Sequence, residues 1–363
     1  MGYMAWWVVF AHSSQLTGIE RILPVRVTAF MDGGEPAVNV FIMLSGFVIT
    51  HLCLSERASY AQYIRERAFR IYPVYLLCLA LGIATLPALL SAHSTPWSID
   101  PHMWQVRAAS EREHFAAHFL LHVSLLHGLV PDSIFPYSAR TLLGPAWSLS
   151  LEWQFYLIAP LIVALVSRSR VSLVITSVVL LAMSWISRHD LIWTWQYPSM
   201  VLIPMPLFLI GILTRVFWGE LGRIPVGMVL LVGIVAGMFL GALKHEFWIW
   251  TIFVAAALQE SRLTPVRGLA WLAANPFVVW LGKASYSTYL VHIPLLIVAV
   301  SLAIKIGGPH VQLMVRTAVL GVLILVIPIS QLLYQHVEKR FMVIGRRKIR
   351  PSFDTPTAAD PAQ

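Results

Sequence analysis

Residues 144–160 read Gly144-Pro-Ala-Trp-Ser-Leu-Ser-Leu-Glu-Trp-Gln-Phe-Tyr-Leu-Ile-Ala-Pro160, and they place a carboxylate, Glu152, at the head of an apolar run that continues to Val166. A lone glutamate in such a run is costly unless it is paired, faces a wet cavity or is protonated. A run of ~20 apolar residues is long enough to cross a bilayer as a helix. This stretch therefore predicts a transmembrane helix that carries a glutamate of functional interest.

The composition indicates a membrane protein along the whole chain. Its 363 residues are 58% hydrophobic and only 12% charged, with a mean hydropathy of +0.73, whereas soluble domains carry about 25% charged residues. We therefore predict an all-α, polytopic integral membrane helix bundle. The net charge of +9 is better explained by cytoplasmic lysines and arginines than by nucleic-acid binding. Cys53 and Cys78 are expected to be packing residues.

We predict about ten transmembrane helices with both termini in the cytoplasm. The candidate spans are residues 3–13, 36–54, 71–90, 147–166, 171–186, 198–217, 226–243, 247–258, 277–304 and 311–337. Residues 114–129 are also apolar, but counting them as a span would carry the later arginine-rich loops to the outer side, against the positive-inside rule. We expect them to form a re-entrant or interfacial element in an outer loop.

The sequence has no internal repeat and no segment typical of a soluble domain. Residues 1–345 are predicted to form the transmembrane domain. Residues 346–363 are basic and then rich in proline and alanine, which is typical of a disordered tail, and the predicted topology places this tail in the cytoplasm.

His12 lies at the end of the apolar run 5–11, near the outer end of the first predicted span. The unperturbed pKa of histidine is about 6.5, so modest changes in its surroundings make it a usable general base. The alternative is a structural histidine that is hydrogen-bonded at the membrane interface. The residue by itself does not decide between the two.

Arg67 and Arg70 precede the third predicted span and share one face of a helix at a spacing of three residues. Two guanidinium groups at a membrane surface can bind phosphates through paired hydrogen bonds. The alternative is an ordinary positive-inside anchor. On the Arg-x-x-Arg pattern alone, the anchor is the favoured interpretation.

Two further polar groups lie within apolar runs. Asn39 precedes a Ser45-Gly46 pair, and such small residues allow close helix contacts. Late in the chain, Ser285, Tyr286, Ser287, Tyr289 and His292 make one span too polar for plain exposure to lipid. Ser285, Tyr289 and His292 fall on one helical face, which should line the bundle interior or a water-filled cavity.

Four histidines in the predicted outer loop are spaced closely enough to be weighed as a metal site. His114, His118 and His122 recur every four residues, with His127 nearby. A spacing of four can bind a metal on a helix, but no carboxylate or cysteine completes the set at matching spacing. We favour an amphipathic element on the membrane and predict no metal site.

Taken together, these motifs resemble those of the membrane acyltransferase 3 family, in the family's order and over nearly the whole chain. The matching stretches are residues 2–12, 39–49, 67–73, 147–156 and 285–292. One position departs from the pattern, because Met1 stands where the family has a basic residue eleven positions before the first-span histidine. We expect the natural start to lie upstream. Asn39 stands where many relatives carry aspartate.

The resemblance implies a multi-pass O-acyltransferase of the bacterial inner membrane. Such an enzyme would move an acyl group, in the simplest case acetyl, from acyl-CoA to a sugar hydroxyl of a cell-surface or secreted glycan. Its partners would be a glycan or glycoside acceptor and the bilayer, with polysaccharide-assembly proteins as candidates and no nucleic acid. No permanently bound cofactor is expected, since acetyl-CoA is a substrate.

We expect His12 to act as the base, Glu152 to orient it from a similar depth, and Arg67 with Arg70 to hold the CoA phosphates. The acceptor cavity is expected to include Asn39, Ser45, Trp147, Ser148, Ser285, Tyr286, Tyr289 and His292. Direct and two-step transfer both stay open. The alternatives to this enzyme are a proton-coupled transporter or flippase of a glycan or lipid and a non-catalytic relative.

Overall fold

The computed structural model describes residues 1–24, 27, 28, 34–55, 58–98, 100–225, 227–231, 233, 245–259, 268, 271 and 275–347. Every regular element within these ranges is helical. The α-helices are α1 (Gly2–Thr17), α2 (Gly34–Ser55), α3 (Tyr60–Ala92), α4 (Pro101–Glu113), α5 (Phe115–Val123), α6 (Trp147–Arg168), α7 (Arg170–Arg188), α8 (Met205–Val216), α9 (Trp218–Leu221), α10 (His245–Gln259), α11 (Pro276–Lys283), α12 (Ser285–Gly307), α13 (Val311–Leu333) and α14 (Lys339–Gly345).

The helical membrane fold predicted from composition is confirmed. Among the described residues, five helical segments are long and apolar enough to cross a membrane. They are Gly34–Ser55, Tyr60–Ala92, Gly144–Arg168, Arg170–Arg188 and Ser285–Gly345, the last of which contains both α12 and α13. The total of about ten spans and the side of each terminus stay predictions. The predicted span 226–243 and the predicted tail 346–363 lie largely outside the described residues.

Two predicted spans differ from the helices that form. Residues 198–217 become helical only from Met205, because Pro198 and Pro204 lack the backbone N–H that a helix interior needs. The resulting α8 has 12 residues, a length of about 18 Å. The predicted span 277–304 is divided at Ala284 into α11 and α12.

Helix ends follow local sequence signals. The Ser59 and Ser169 side chains accept hydrogen bonds from the backbone N–H groups of Gln62 and Ser172, which caps α3 and α7. α1 ends at Gly18, whose φ of 60° and ψ of 23° form the left-handed cap that glycine adopts without strain. The Gly18 cap places the end of α1 beside Trp97 of the loop that follows α3.

α6 lies at the centre of the bundle, whereas α7 lies at its edge. Residues on all sides of α6 are buried, and Phe155 stacks on Phe208 of α8 with ring centroids 3.9 Å apart. On α7, Ser184 is the one buried residue, and apolar side chains such as Val174 and Val178 are exposed. A helix that is buried all round belongs inside the bundle, while the apolar surface of α7 suits lipid.

The loop between α3 and α6 folds over one end of the bundle. Its helix α5 has nine residues and is about 14 Å long, which is too short for a hydrocarbon core of about 30 Å. This agrees with the prediction that residues 114–129 do not cross the membrane. The Trp97 indole donates to the Leu16 carbonyl at 2.9 Å and so ties the loop to the end of α1.

Small residues bring α2 and α8 into close contact, as the Ser45-Gly46 pair predicted. A β-carbon on Gly46 would meet the backbone of Phe208, and one on Gly211 would meet the backbone of Met43. These two backbones can approach this closely only because both glycines lack a side chain. The contact places α2 against the centre of the bundle.

We expect Gly46→Ala to lower the thermal stability of the purified protein in detergent. The new methyl group would push α2 away from α8, and overpacking of this kind costs about 1–3 kcal/mol. Gly321→Ala is the matched control, because a β-carbon there meets no atom within 4 Å and alanine is the better helix former. An equal change in melting temperature for both variants would contradict this close packing.

Candidate active site

Two adjacent cavities lie between α1, α3, α6 and α12. The larger has a volume of about 620 Å³ and is bordered by His12, Trp147 and residues of the outer loop. The smaller has a volume of about 60 Å³ and is bordered by Arg70 and Glu152. Val8, Val38 and Tyr289 border both. The two cavities therefore meet beside Tyr289.

His12 is paired with a second histidine. Its Nδ1 lies 2.9 Å from Nε2 of His292, and the two ring planes are 15° apart. Nδ1 of His292 lies 3.2 Å from the carbonyl oxygen of Thr288, an atom that can only accept. His292 therefore donates through Nδ1 and accepts through Nε2, so His12 donates through Nδ1. Nε2 of His12 keeps its lone pair, as a general base requires.

Glu152 has a different partner from the one predicted. Its carboxylate accepts a hydrogen bond from the Tyr156 hydroxyl and borders the small cavity, whereas His12 borders the large one. On α1 the small cavity reaches Ala5 and Val8, which lie one to two turns, or about 6–10 Å, from His12. The partner of His12 is therefore corrected from Glu152 to His292, because the two predicted residues lie at different depths.

Most of the predicted cavity residues do meet around these openings. The Ser148 hydroxyl lies 2.8 Å from the Tyr289 hydroxyl, which donates to the Pro145 carbonyl at 3.0 Å. Ser285 and Tyr286 border the small cavity, and the Tyr286 hydroxyl donates to a backbone carbonyl of α3 at 2.6 Å. On the face predicted for Ser285, Tyr289 and His292, the first two border the cavities. His292 contacts His12 of α1 and borders neither cavity, in contrast to the prediction.

Asn39 and Ser45 do not border either cavity, in contrast to the prediction. The Asn39 amide donates to the Glu246 carboxylate at 3.0 Å, and both side chains are buried between α2 and α10. Ser45 is buried beside Glu152. Each of these two residues contacts a polar group of a neighbouring helix instead, Asn39 on α10 and Ser45 on α6.

Arg70 is held among buried acidic groups. The charges of Glu152 and Glu338 both act on its guanidinium, and Glu338 accepts a hydrogen bond from Ser287 at 3.1 Å. The sequence interpretation missed Glu338, which follows the predicted span 311–337 by one residue. The cost of burying a carboxylate, which singled out Glu152, could have found it.

Arg67 precedes Arg70 by three residues on α3 and has few contacts. Its Nη2 lies 3.9 Å from the Glu66 carboxylate, its guanidinium lies 5.9 Å from the centre of the Tyr156 ring, and its Nε has no hydrogen-bond partner. A buried arginine N–H without a partner is costly. Arg67 therefore has donor capacity left for a ligand.

The outer loop contributes residues to the large cavity that the sequence interpretation did not select. Trp104 stacks on His93 with ring centroids 3.6 Å apart, and Arg140 donates to the Tyr197 hydroxyl. Arg107 also borders the cavity. Burial lowers the pKa of His93 to about 4, so this side chain is neutral at physiological pH. No sequence motif marks these residues, because they come from separate parts of the outer loop and, for Tyr197, from the connection between α7 and α8.

The outer-loop histidines are divided among separate contacts. His118 lies within hydrogen-bond distance of Ser110 and Thr141, at 3.1 and 3.2 Å, and the rings of His122 and His127 stack with centroids 3.9 Å apart. Within the part of the chain that the structure describes, no group of three metal-ligating side chains is suited to a metal ion.

Comparison with known proteins identifies the family. The family model described as an acyltransferase domain, acyltransferase 3, matches residues 3–335. The chain belongs to the acyltransferase 3 family. Nodulation protein 10 of Rhizobium leguminosarum bv. viciae is 25% identical over 275 residues, which cover 71% of this chain and 70% of the relative. No solved structure matches. The resemblance noted in the sequence is confirmed, and the chain is a membrane acyltransferase by family.

We expect Arg70→Gln to lower the yield and the melting temperature of the folded protein. The variant leaves Glu152 and Glu338 buried without their cation, and breaking a buried charge group costs about 3–5 kcal/mol. Thermal unfolding of the purified protein measures this effect. Adding Glu338→Gln to Arg70→Gln should restore part of the loss. Greater destabilisation by Arg67→Gln than by Arg70→Gln would contradict the assignment of Arg70 as the buried counter-ion.

Proposed function

We propose that this membrane acyltransferase moves an acyl group, in the simplest case acetyl, from acyl-CoA to a sugar hydroxyl of a cell-surface or secreted glycan. The observation that carries the proposal is the His12–His292 hydrogen bond at 2.9 Å beside a cavity of about 620 Å³. This volume suits a small ligand such as one or two sugar rings. A base whose lone pair is free beside such a cavity suits an alcohol acceptor.

In this mechanism the acceptor hydroxyl donates its proton to Nε2 of His12 as its oxygen attacks the thioester carbonyl carbon. The carbon–sulfur bond then breaks, and the CoA thiolate takes the proton from the His12 imidazolium, which yields the ester and CoA thiol. Through Nδ1 the imidazolium donates to neutral His292, which itself donates to Thr288. A positioned base of this kind is worth about 10²–10⁴ in rate.

The hydroxyl pair of Ser148 and Tyr289 stands where the two cavities meet. This position suits a thioester carbonyl that arrives through the small cavity while the acceptor occupies the large one. The Tyr289 proton is used by the Pro145 carbonyl, so Ser148 is the donor within this pair. If the Ser148 hydroxyl turns from Tyr289 to the oxyanion, it stabilises the charge that develops there. We assign Ser148 the oxyanion role and propose direct transfer without a covalent enzyme intermediate.

The donor is proposed to approach from the opposite end of the bundle. With ten spans and both termini in the cytoplasm, Arg67 lies toward the cytoplasm and the outer loop toward the outer face of the bacterial inner membrane. Arg67 would bind a CoA phosphate, and Arg70 would hold the two buried carboxylates rather than the donor. No group besides the two substrates is required, and polysaccharide-assembly proteins would deliver the glycan.

We expect His12→Gln to abolish acyl transfer and His292→Ala to lower kcat with little change in either KM. The first variant removes the base, while the second removes the group that fixes its tautomer. Acyl-ester content of the surface glycan, measured by mass spectrometry in a deletion strain that expresses each variant, tests the first effect. Initial rates across a range of pH test the second, because loss of the partner should shift the pH profile.

The matched control is His102→Gln, which changes an exposed histidine on α4. It should leave the ester content at the wild-type level. Substantial transfer by a His12→Gln protein would refute the base assignment. Unaltered ester content after deletion of the whole gene would instead favour a transporter or a non-catalytic relative.

We expect Arg67→Gln to raise the KM for acyl-CoA about tenfold, which is the effect of losing one hydrogen bond between charged groups. The KM for the acceptor should stay the same. Arg65→Gln serves as control, because Arg65 lies on the same helix and donates to the Arg347 carbonyl. An unchanged donor KM in Arg67→Gln would return this residue to the role of a membrane anchor.

A further inference from the structure

The wall of the large cavity contains an arginine without a carboxylate partner. Arg140 borders the cavity and donates to the Tyr197 hydroxyl. Among the residues that the structure describes, no carboxylate lies within 4.0 Å of its guanidinium. A guanidinium group has five N–H donors, so most of this capacity is left for whatever fills the cavity.

The neighbouring Arg107 provides an internal comparison. Its Nε lies 2.9 Å from the Glu111 carboxylate, which also accepts from the backbone N–H of Leu142. Arg107 is thus a buried ion pair that fixes the loop, and its charge is neutralised within the protein. Arg140 lies on the same wall with no such neutralisation. The two arginines therefore have different roles.

Aromatic rings hold the Arg140 side chain in place. Its guanidinium carbon lies 4.6 Å from the ring centre of Tyr197 and 5.6 Å from that of Trp104. Stacking of this kind orients the planar fork and lowers the entropy lost when it binds. The fork is therefore fixed in the cavity wall before a ligand arrives.

We propose that Arg140 recognises an oxyanion on the acceptor, either the carboxylate of a hexuronic acid or a phosphate ester on the sugar. This inference rests on the proposed function and specifies its substrate class. A planar guanidinium binds carboxylate and phosphate through two parallel hydrogen bonds, whereas a neutral hydroxyl can match only one of them. The acceptor is therefore an anionic glycan.

The position of Arg140 assigns this site to the acceptor rather than to the donor. Arg140 borders the same cavity as His12, and its charge acts on that histidine. Arg67, the proposed contact for CoA, borders neither cavity. An acceptor anchored at Arg140 would therefore keep its reactive hydroxyl on the side of the cavity that contains the base.

Two carboxylates also border this cavity and bear on the electrostatics. Glu35 and Asp100 are both exposed, and Asp100 accepts from the backbone N–H of Met103 at 3.0 Å, which occupies it as a helix cap. Neither lies within salt-bridge distance of Arg140. Because like charges repel, the carboxylates of Glu35 and Asp100 restrict the bound anion to the side of the cavity formed by Arg140, Trp104 and Tyr197.

Binding to the purified full-length protein in detergent tests the proposal without any transfer step. Isothermal titration would compare methyl glucoside, methyl glucuronide and glucose 6-phosphate. Wild-type protein should bind at least one anionic sugar about ten- to hundredfold more tightly than the neutral one, the effect of paired charge-assisted hydrogen bonds. The two anionic probes show whether a carboxylate or a phosphate is preferred.

Three variants complete the experiment. Arg140→Gln should remove the preference, and Arg140→Lys should lose most of it because lysine keeps the charge without the fork. Arg112→Gln, an exposed arginine on α4, removes the same charge from the loop and should leave the preference intact. The Arg140→Lys protein is also the folding control for Arg140→Gln. Its melting temperature should match that of wild type, so its loss of preference cannot come from misfolding.

Equal affinity of wild type for all three sugars, or no binding of any, would overturn the proposal. A preference that survives in Arg140→Gln would do the same. Failure of the proposed function is a separate result, in which the anionic preference depends on Arg140 but no acyl ester forms. Transfer to the neutral sugar as efficient as to the anionic ones would refute this inference alone.

Discussion

The hydrogen bond between His12 and His292 joins residues 280 positions apart in the sequence. It connects α1 to α12 and belongs to a chain of hydrogen bonds that runs from His12 through His292 to the Thr288 carbonyl. Because that oxygen can only accept, both histidines donate through Nδ1. The basic nitrogen of His12 is free only while this chain of hydrogen bonds is intact. The proposed chemistry therefore depends on how two distant helices pack.

A neutral histidine is a less costly partner within a membrane than a carboxylate. A buried carboxylate requires its own cation and hydrogen bonds, and the desolvation penalty often exceeds the Coulombic gain. Glu152 meets this requirement elsewhere, through the Tyr156 hydroxyl and the charge of Arg70. Glu152 and Arg70 thus lie at the small cavity, while His12 and His292 are each hydrogen-bonded to a group without a formal charge.

The contacts of three arginines distinguish a structural role from a role in ligand recognition. The charges of two buried carboxylates act on Arg70, and Arg107 pairs with Glu111 at 2.9 Å. Arg140 is held by aromatic rings and a hydroxyl. An arginine with internal counter-ions contributes to stability, whereas one whose fork is oriented but unpaired is ready for an anion.

The sequence by itself determined the helical membrane class, the family and most of the polar residues around the cavities. Apolar run length depends on composition alone, and the cost of a polar group in an apolar run can be judged without coordinates. Arg67, His12 and the face of Ser285, Tyr289 and His292 were found in this way. Glu338 could have been found by the same argument.

Only the tertiary structure decided which of these residues meet. Depth along a helix depends on tilt, packing and the irregular outer loop, so the sequence paired His12 with Glu152, whereas the fold pairs it with His292. Asn39 and Ser45 contact Glu246 and Glu152 instead of bordering the cavities. Arg140 borders the large cavity because of the path of an irregular loop, and the sequence of that loop has no periodicity from which its path could be predicted. Partnership is a property of three-dimensional packing, and a one-dimensional pattern carries no distances between helices.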